Sequence, residues 1–264
     1  MNTKTLDGRC ALITGSIAGL GFAIANALAA QGAHIVLHGL EDIDQALAAR
    51  EKLAREHGVD VIVSRADLSQ TAGVESLMHQ ALNQFGTVDI VVNNAVVRHF
   101  AAAHELPVAD WDLALAVNLS AAFHTARLAL PGMLAKGWGR IINLSSVYGA
   151  GGATNRIGYV TTKTALIGMT RALALETATH GITCNAVSPG TVPTPAITSR
   201  IARLADQAGV SIEQAEHDYL AERQPTGRFV GMESVGALVA FLCGPAGADI
   251  TGAVLPIDGG WTAG

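Results

Sequence analysis

Short apolar runs alternate with longer amphipathic segments along almost the whole length of the 264-residue chain. We predict strands at 9–14, 33–37, 59–64, 88–92, 139–144, 182–187 and 254–257, and helices at 20–31, 42–57, 74–85, 111–130 and 157–180. Strands that alternate with helices form a parallel sheet with helices on both faces, and continuously apolar strands fit burial on both faces. The alternation therefore predicts an α/β fold with a seven-stranded parallel sheet.

The segment 195–228 departs from this alternation. It is longer than a connecting helix needs and richer in charge than its surroundings. We predict two short helices there that form a lid over a site. No linker and no change in composition divides the chain, so we expect one domain over 1–264.

Composition excludes several classes of protein. Half of the residues are apolar and the net charge is only −5, which excludes a disordered chain and argues against a nucleic-acid partner. The 29 glycines lack the period that a fibrous repeat requires. Cys10, Cys184 and Cys243 match neither a disulfide framework nor a metal motif, which favours a reducing compartment.

Targeting signals and metal motifs are not evident in the sequence. Residues 1–9 contain no apolar signal core, and no apolar run approaches the roughly 18 residues that span a bilayer. We therefore expect a cytoplasmic protein without a membrane partner. The histidines form no metal-spaced cluster and are interpreted as surface or near-site residues, among them His34, His38, His99 and His104.

A glycine-rich turn joins the first predicted strand to the first predicted helix. In the sequence from Thr14 to Gly21, Gly15 permits a tight turn, Gly19 lets the backbone approach a pyrophosphate, and Gly21 lets helix and strand pack closely. The N-terminus of the helix then offers unpaired N–H groups and the positive end of its dipole to the anion. The position of the turn favours a dinucleotide site over an ordinary loop.

Five motifs in order resemble the short-chain dehydrogenase/reductase family. They are Thr14–Gly21, Asn93-Asn94-Ala95, Asn118, Ser146 with the Tyr159-x-x-x-Lys163 pair, and Pro189-Gly190. The resemblance covers the whole chain and implies a doubly wound Rossmann fold. One departure is Val96, which stands where the family has glycine; we expect it to shift the cofactor slightly without abolishing binding.

The resemblance also implies a nicotinamide cofactor. The implied contacts are Gly15, Ser16, Ile17, Gly19, Leu20, Gly21, Gly39, Leu40, Asp67, Leu68, Asn94, Ala95, Val96, Tyr159, Lys163, Pro189, Gly190, Val192 and Thr194. The tip of the second strand, which reads the adenine ribose, carries Glu41 and Asp42 but no Arg or Lys. We therefore expect NAD. Glu41 is a candidate acceptor for the ribose hydroxyls. The alternative is that Glu41, like Asp42, only stabilises the start of the next helix as an acidic residue.

The Tyr159 and Lys163 side chains share one face of a predicted helix. An ammonium group near a phenol lowers its pKa, so Tyr159 can exchange a proton with an alcohol while hydride moves to or from the nicotinamide. Ser146 would hold the substrate oxygen, and Ser145 is interpreted as structural. By the resemblance, Asn118 orders a water that links Lys163 to solvent.

Further segments resemble the D-3-hydroxybutyrate dehydrogenase branch of the family. They include 29–33, 36–39, 118–121, 139–143, the ending 258–262, and the lid. Where that branch holds the substrate carboxylate, this chain has Arg98, Tyr148, Arg156 and, less securely aligned, Arg200. Guanidinium groups suit anions. We therefore expect a small anionic hydroxy acid bound by these residues with Ser146 and Tyr159, 3-hydroxybutyrate-like or more highly charged or larger.

Two other functions remain open at this point. An NADPH-dependent 3-oxoacyl thioester reductase would use the same catalytic residues, but it would need a cation for the 2′-phosphate. A dinucleotide sensor without enzymatic activity would not need both Tyr159 and Lys163. Apolar residues on several faces of the helices at 111–130 and 157–180 predict an interface, and the family resemblance implies a homotetramer to which Trp261–Gly264 could contribute.

Overall fold

A computed structural model of the chain describes residues 4–263, apart from the side chain of Ala196, and shows seven parallel strands in one sheet. The strands are β1 (Cys10–Ile13), β2 (His34–His38), β3 (Val61–Ser64), β4 (Ile90–Asn93), β5 (Gly139–Leu144), β6 (Ile182–Pro189) and β7 (Val254–Ile257). Their order is β3-β2-β1-β4-β5-β6-β7. The direction of winding reverses between β1 and β4, and ligands bind at the carboxyl ends of the strands beside such a reversal.

Helices cover both faces of this sheet. They are α1 (Gly19–Ala30), α2 (Ile43–His57), α3 (Thr71–Phe85), α4 (Val108–Leu115), α5 (Ala121–Lys136), α6 (Ile157–Thr177), α7 (Pro195–Ala208), α8 (Ile212–Ala221) and α9 (Met232–Cys243). The sequence pattern did not predict α9, which packs against α1. The predicted doubly wound fold is confirmed, with ends that differ from the prediction by a few residues.

The strands bury both of their faces, as their continuous apolar runs predict. On β1, Ala11 and Ile13 belong to the core formed with α1, α2 and α9. Cys10 and Leu12 point the other way, into the core formed with α3 and α5. Successive strand residues alternate between faces, so four apolar residues supply two cores.

The predicted helix at 111–130 is longer than expected and is interrupted. It runs from Val108 to Lys136, with a π-helical turn at Ala116–Ser120. This 29-residue segment is long and apolar enough to cross a membrane by length and composition alone, a test that core helices of soluble proteins also pass. The expectation that no segment reaches that length was wrong. In α5, Ala122, Ala126, Ala129 and Met133 form a buried stripe at helical spacing, as expected for a helix packed on a core.

The segment 195–228 contains the two predicted helices, α7 and α8. They pack around a small apolar core of their own, formed by Ile201, Ala205, Ala215, Tyr219 and Leu220. The base of the segment is held by the fully buried Gln224, whose amide accepts from the Thr191 N–H and donates to the Arg228 carbonyl. The lid is therefore a separate packing unit beside the carboxyl end of β6.

Candidate active site

Two adjoining cavities lie at the carboxyl ends of the strands. A cleft of about 430 Å³ runs along the glycine-rich turn, and a cavity of about 520 Å³ lies between the sheet and the lid. We call them the dinucleotide cleft and the arginine cavity. The residues that line both are Val96, Arg98, Ser146, Tyr159, Gly190, Val192 and Thr194. A molecule in one cavity therefore meets a molecule in the other at Tyr159 and Ser146.

Close backbone contacts determine the shape of the glycine-rich turn. Gly15 has a φ of +63°, and a Cβ on it would lie 3.0 Å from Ala95 Cα. A Cβ on Gly21 would lie 2.1 Å from the Gly15 carbonyl oxygen. The Asn94 amide donates to the carbonyls of Thr14 (2.9 Å) and Gly15 (2.7 Å), which ties the turn to the end of β4. Side chains at the two glycines would collide with the backbone of the turn and of the β4 end, so the turn could not keep this shape.

His38 holds the same turn from the other side. Its Nδ1 accepts from the Gly15 N–H at 3.1 Å, so Nε2 carries the proton and donates to the Ala66 carbonyl at 2.8 Å. Burial lowers the pKa of this imidazole, which keeps it neutral and able to accept. The interpretation of His38 as a surface or near-site residue was incomplete, because its ring is buried and joins three strand ends.

Most of the predicted cofactor residues line the dinucleotide cleft. Those that do are Gly15, Gly19, Leu20, Gly21, Asn94, Ala95, Val96, Tyr159, Lys163, Pro189, Gly190, Val192 and Thr194. Outside the lining lie Ser16, Ile17, Gly39, Leu40, Asp67 and Leu68. Leu68 borders a different depression, between α3 and α5, and Leu40 is 61% exposed.

Ser16 has a structural role that the sequence did not predict. Its hydroxyl donates to the Ile13 carbonyl at 2.7 Å and accepts from the His38 N–H, and its own N–H donates to the His38 carbonyl. Each polar group of the residue except its carbonyl thus has a partner inside the protein, and the side chain is fully buried. Ser16 therefore stabilises the junction of β1 and β2, and its assignment to the cofactor stays a prediction.

The cleft also contains residues outside the predicted set. They are Ala18, Glu41, Leu144, Ser145 and Pro195, with Arg98 and Ser146 from the predicted substrate site. Glu41 was a candidate at the adenine ribose, and its carboxylate lies over Gly39, where a Cβ would be 2.1 Å from Oε2. Gly190 was expected to let the backbone approach a cofactor, but it is also required by packing: a Cβ there would lie 2.7 Å from Gln224 Oε1.

The Tyr159, Lys163 and Ser146 side chains meet at the border of the two cavities. Tyr159 and Lys163 lie one turn apart on α6, both buried, and the Lys163 ammonium lies 5.7 Å from the Tyr159 ring centroid. The ammonium donates to the Leu144 carbonyl at the end of β5. Ser146 begins a short 3-10 turn, and its hydroxyl accepts from the Tyr148 N–H at 3.2 Å. The ends of β5 and α6 thus bring the predicted catalytic groups together.

Two neighbouring residues have structural contacts. The Ser145 hydroxyl donates to the Lys163 carbonyl at 2.9 Å, so it joins β5 to α6, as predicted. Asn118 lies in the π turn, and its side chain accepts from the Val97 N–H (2.8 Å) and donates to the Val97 carbonyl (3.0 Å). The side chain therefore holds the loop after β4. A π turn in a helix is frequent at functional sites.

The surroundings of Tyr159 favour its ionised form. Burial is the largest single influence and opposes ionisation. The Lys163 ammonium, the Arg98 guanidinium and the Ser146 hydroxyl together overcome it and hold the pKa of Tyr159 below its ordinary value of 10.0. Burial lowers the pKa of Lys163 to about 8, against the opposing effect of Tyr159. The Tyr159 phenol therefore ionises more readily than an unperturbed tyrosine.

All six predicted substrate residues line the arginine cavity: Arg98, Ser146, Tyr148, Arg156, Tyr159 and Arg200. The Arg98 guanidinium lies 5.3 Å from the Tyr159 ring centroid. Arg156 lies between two rings, 4.7 Å from Phe100 and 5.3 Å from Tyr148. Its backbone bridges to Ala101, which holds the loop after β4 against the start of α6.

The cavity also contains residues that the sequence prediction missed, among them Arg203, Phe100, Tyr219 and Trp261. Arg203 follows Arg200 by three positions on α7, and this helical spacing was the available signal. Trp261 was assigned to a subunit interface; in the structure it packs edge-on against Tyr148, with 5.5 Å between centroids. Gly264, assigned with it, lies outside the described residues. Within residues 4–263, no group of three or more His, Cys, Asp or Glu side chains is placed to hold a metal ion.

Comparisons with known proteins agree with this geometry. A family model described as enoyl-(acyl carrier protein) reductase matches residues 15–262. The chain is 44% identical to the D-beta-hydroxybutyrate dehydrogenase of Cupriavidus necator, over 98% of this chain and 99% of the relative. For the enzyme of the same name from Rhizobium meliloti the identity is 39%, over 97% and 99%.

Solved structures give the same result. The L-sorbose reductase of Gluconobacter frateurii, in a complex with NADPH and L-sorbose, superimposes with a TM-score of 0.94 and 30% identity over 99% of each chain. The match of family model, whole-length relatives and fold shows that this chain belongs to the short-chain dehydrogenase/reductase family.

Proposed function

We propose that the protein is an NAD-dependent oxidoreductase that moves hydride reversibly between the nicotinamide and the alcohol carbon of a small anionic hydroxy acid. The acid is 3-hydroxybutyrate-like or a more highly charged or larger relative. The observation that carries the proposal is the position of Tyr159, buried against Lys163 at the border between a dinucleotide cleft and a cavity lined by arginines. Two whole-length relatives are named D-beta-hydroxybutyrate dehydrogenases.

The dinucleotide cleft fits a pyridine nucleotide. No atom lies within 4 Å of the Cβ position of Gly19, at the N-terminus of α1, and helix N–H groups there favour an anion such as the pyrophosphate. The Tyr159 end of the cleft would hold the nicotinamide, which accepts or supplies hydride when bound. At the far end, the Glu41 carboxylate suits the two ribose hydroxyls of NAD and would repel a 2′-phosphate.

In the proposed oxidation, the Tyr159 phenolate takes the proton of the substrate hydroxyl while the carbon gives up its hydride. In reduction, the phenol returns the proton to the forming alkoxide. The Ser146 hydroxyl donates to the substrate oxygen and holds it near Tyr159. Lys163 stabilises the phenolate, and Asn118 holds the loop after β4 through Val97. Arg98 and Arg156 bind the carboxylate.

The proposal is tested by following NADH absorbance with a panel of hydroxy acids. We expect turnover with acids of the 3-hydroxybutyrate type or with more acidic relatives, and weaker turnover in Arg98→Gln and Arg156→Lys variants. Full activity on 3-hydroxybutyrate that neither substitution changes would contradict the role of the arginines. An absence of turnover with every hydroxy acid would overturn the proposed activity itself.

Cofactor choice is tested at Glu41. Glu41→Gln removes the charge without changing the size of the side chain, so we expect weaker NAD binding and a smaller preference over NADP in a fluorescence titration. Asp44→Asn is the matched control, because Asp44 lies nearby in the first turn of α2 and outside the cleft. Equal affinities for NAD and NADP in the unaltered protein would contradict the NAD assignment.

The second candidate is an NADPH-dependent reductase of 3-oxoacyl thioesters. The description of the matching family model and the NADPH in the L-sorbose reductase complex favour it. This function requires a cation near the adenine ribose, and the described lining of the cleft has Glu41 there. Tighter binding of NADP than NAD, together with reduction of an acetoacetyl thioester, would favour this candidate over the hydroxy-acid dehydrogenase.

We further propose a cytoplasmic homotetramer with a single catalytic domain. Phe123 and Leu175, on the helices that the sequence assigns to an interface, are 50% and 82% exposed in the single chain. Large exposed apolar side chains of this kind favour association. The three buried cysteines are free thiols, which suits a reducing compartment. Light scattering tests the assembly, and a monomeric mass would contradict it.

A further inference from the structure

The arginine cavity contains more positive charge than a simple hydroxy acid can neutralise. Four guanidinium groups line it, from Arg98, Arg156, Arg200 and Arg203, and its described lining includes no carboxylate. None of the four pairs with a carboxylate among residues 4–263. Like charges that line one cavity repel one another, and a bound anion relieves that repulsion. One carboxylate would leave most of this charge uncompensated.

The four arginines form two pairs that come from different parts of the structure. Arg98, in the loop after β4, and Arg156, just before α6, lie on the main body of the molecule beside Tyr159 and Tyr148 respectively. We call them the core pair. Arg200 and Arg203 lie three positions apart on α7, so they share one face of the lid. We call them the lid pair; Arg200 lies 5.7 Å above the Tyr219 ring.

The acidic side chains of the lid do not neutralise the lid pair. Arg200 also borders a groove on the lid that contains Asp218 and Glu222. Asp218 accepts from the Gln214 amide at 2.8 Å, and Glu222 pairs with Arg223 at 2.9 Å. Both carboxylates therefore have closer partners, and the lid pair is available to an anion in the cavity.

We propose that the substrate carries a second anionic group, which Arg200 and Arg203 bind while the core pair binds the first. This inference rests on the proposed function and makes its substrate class more specific: a hydroxy acid with two acidic ends. The forked donors of two guanidinium groups match the paired oxygens of a carboxylate, sulfonate or phosphonate. Such a substrate also joins the lid to the core, because each end is held by a different layer.

The test compares substrates that differ in one charge. 3-Hydroxyglutarate is 3-hydroxybutyrate with a carboxylate added to its methyl end, and its monomethyl ester has nearly the same shape without the second charge. We expect kcat/KM to be about tenfold or more higher for the diacid than for the ester, as a charge-assisted contact predicts. 4-Sulfo- and 4-phosphono-3-hydroxybutyrate identify the preferred second group.

The matched variants are Arg200→Gln/Arg203→Gln and Arg228→Gln. We expect the double variant to lose most of the preference for the diacid. Arg228 is an exposed arginine of the same segment outside the cavity, so its variant keeps the preference. Arg203→Gln alone serves if the double variant does not fold. Equal kcat/KM for diacid and ester, or a preference that persists without the lid pair, overturns the inference.

A binding measurement separates this inference from the proposed function. Calorimetry on the NAD-loaded protein compares glutarate with butyrate, neither of which has an alcohol to oxidise. Tighter binding of glutarate that depends on Arg200 and Arg203 supports the two-anion site. This conclusion holds even if no hydroxy acid is turned over, a result that would overturn the proposed activity alone. Equal binding of the two acids overturns the site, whatever the activity.

Discussion

The dinucleotide cleft and the arginine cavity share a wall but are built in different ways. The cleft is formed largely by backbone and small residues, because Gly15 and Gly21 leave no room for a Cβ. The cavity is formed by long cationic and aromatic side chains, among them Arg98 and Arg156 from the main body and Arg203 from the lid. We therefore expect the cleft to select a ligand by fit and the cavity to select one by charge.

This difference indicates how each site tolerates change. A backbone cradle is lost when one atom is added, since the neighbouring carbonyls cannot move independently of the sheet. A cavity lined by flexible cations changes its preferred anion when one side chain is replaced, while the fold is retained. A substitution in the shared wall, where Tyr159 lies, would affect the dinucleotide cleft and the arginine cavity together.

The largest effect is expected at Tyr159. A Tyr159→Phe variant keeps the ring but has no proton to exchange, so we expect kcat to fall by about 10²- to 10⁴-fold. NAD affinity, measured by fluorescence titration, should remain, because the glycine-rich turn is unchanged. Tyr148→Phe, in the same cavity, should cost much less. Unchanged activity in Tyr159→Phe would contradict the catalytic assignment and indicate that a different group exchanges the proton.

The next effect tests the fit of the cleft. Gly21→Ala places a methyl group 2.1 Å from the Gly15 carbonyl oxygen, so we expect NAD affinity to fall at least about tenfold and unfolding to become easier by about 1–3 kcal/mol. Gly168→Ala is the matched control, since Gly168 lies inside α6 with no atom within 4 Å of its Cβ position. That variant should be neutral or slightly stabilised. Equal behaviour of the two variants would contradict a cradle determined by fit.

Arg98 tests whether the cationic cavity acts on the chemistry as well as on binding. Its positive charge lowers the pKa of Tyr159, so Arg98→Gln should raise that pKa. The phenolate then forms only at higher pH, and the rising limb of the oxidation rate should move to higher pH. Arg171→Gln, an exposed arginine on α6, is the control. A pH profile of kcat that does not move would limit Arg98 to substrate binding.

The smallest effect concerns His38 and the pH dependence of stability. Burial lowers the pKa of His38 in the folded protein, whereas the unfolded chain titrates at about 6.5. Below that pH the unfolded state binds a proton that the folded state does not, so the free energy of unfolding should fall as the pH decreases. Above it the contribution of the neutral ring is complete.

The His38→Asn variant should lose part of this acid dependence and about 1 kcal/mol of stability at pH 8, from weaker hydrogen bonds to Gly15 and Ala66. Urea unfolding at pH 8.0 and 5.5 measures both effects. His104→Gln replaces an exposed histidine and should resemble the unaltered protein. If the free energy of unfolding falls between pH 8.0 and 5.5 by the same amount in His38→Asn and in the unaltered protein, the buried ring does not cause the fall.

Sequence patterns predicted the elements better than the contacts between them. The strands, the glycine-rich turn and both lid helices follow from local periodicity. Helix α9 was missed, and the hydrogen bonds by which Ser16 joins β1 to β2 were not predicted. The place of Trp261 in the lining of the cavity was not predicted either. In each case the partners are distant in sequence, so no local pattern identifies them.

The sequence by itself determined the parallel sheet, the turn at Gly15–Gly21 and the order of Asn118, Ser146, Tyr159 and Lys163, because strand burial, backbone freedom and helical spacing depend on neighbouring residues. The family resemblance already pointed to Arg98, Arg156 and Arg200 as substrate residues, but only the tertiary structure added Arg203 and brought all four to one cavity whose described lining has no carboxylate. Convergence of this kind depends on how the sheet order and the packing of the lid bring separate segments together. The net charge of −5 therefore gives no indication that the site is cationic.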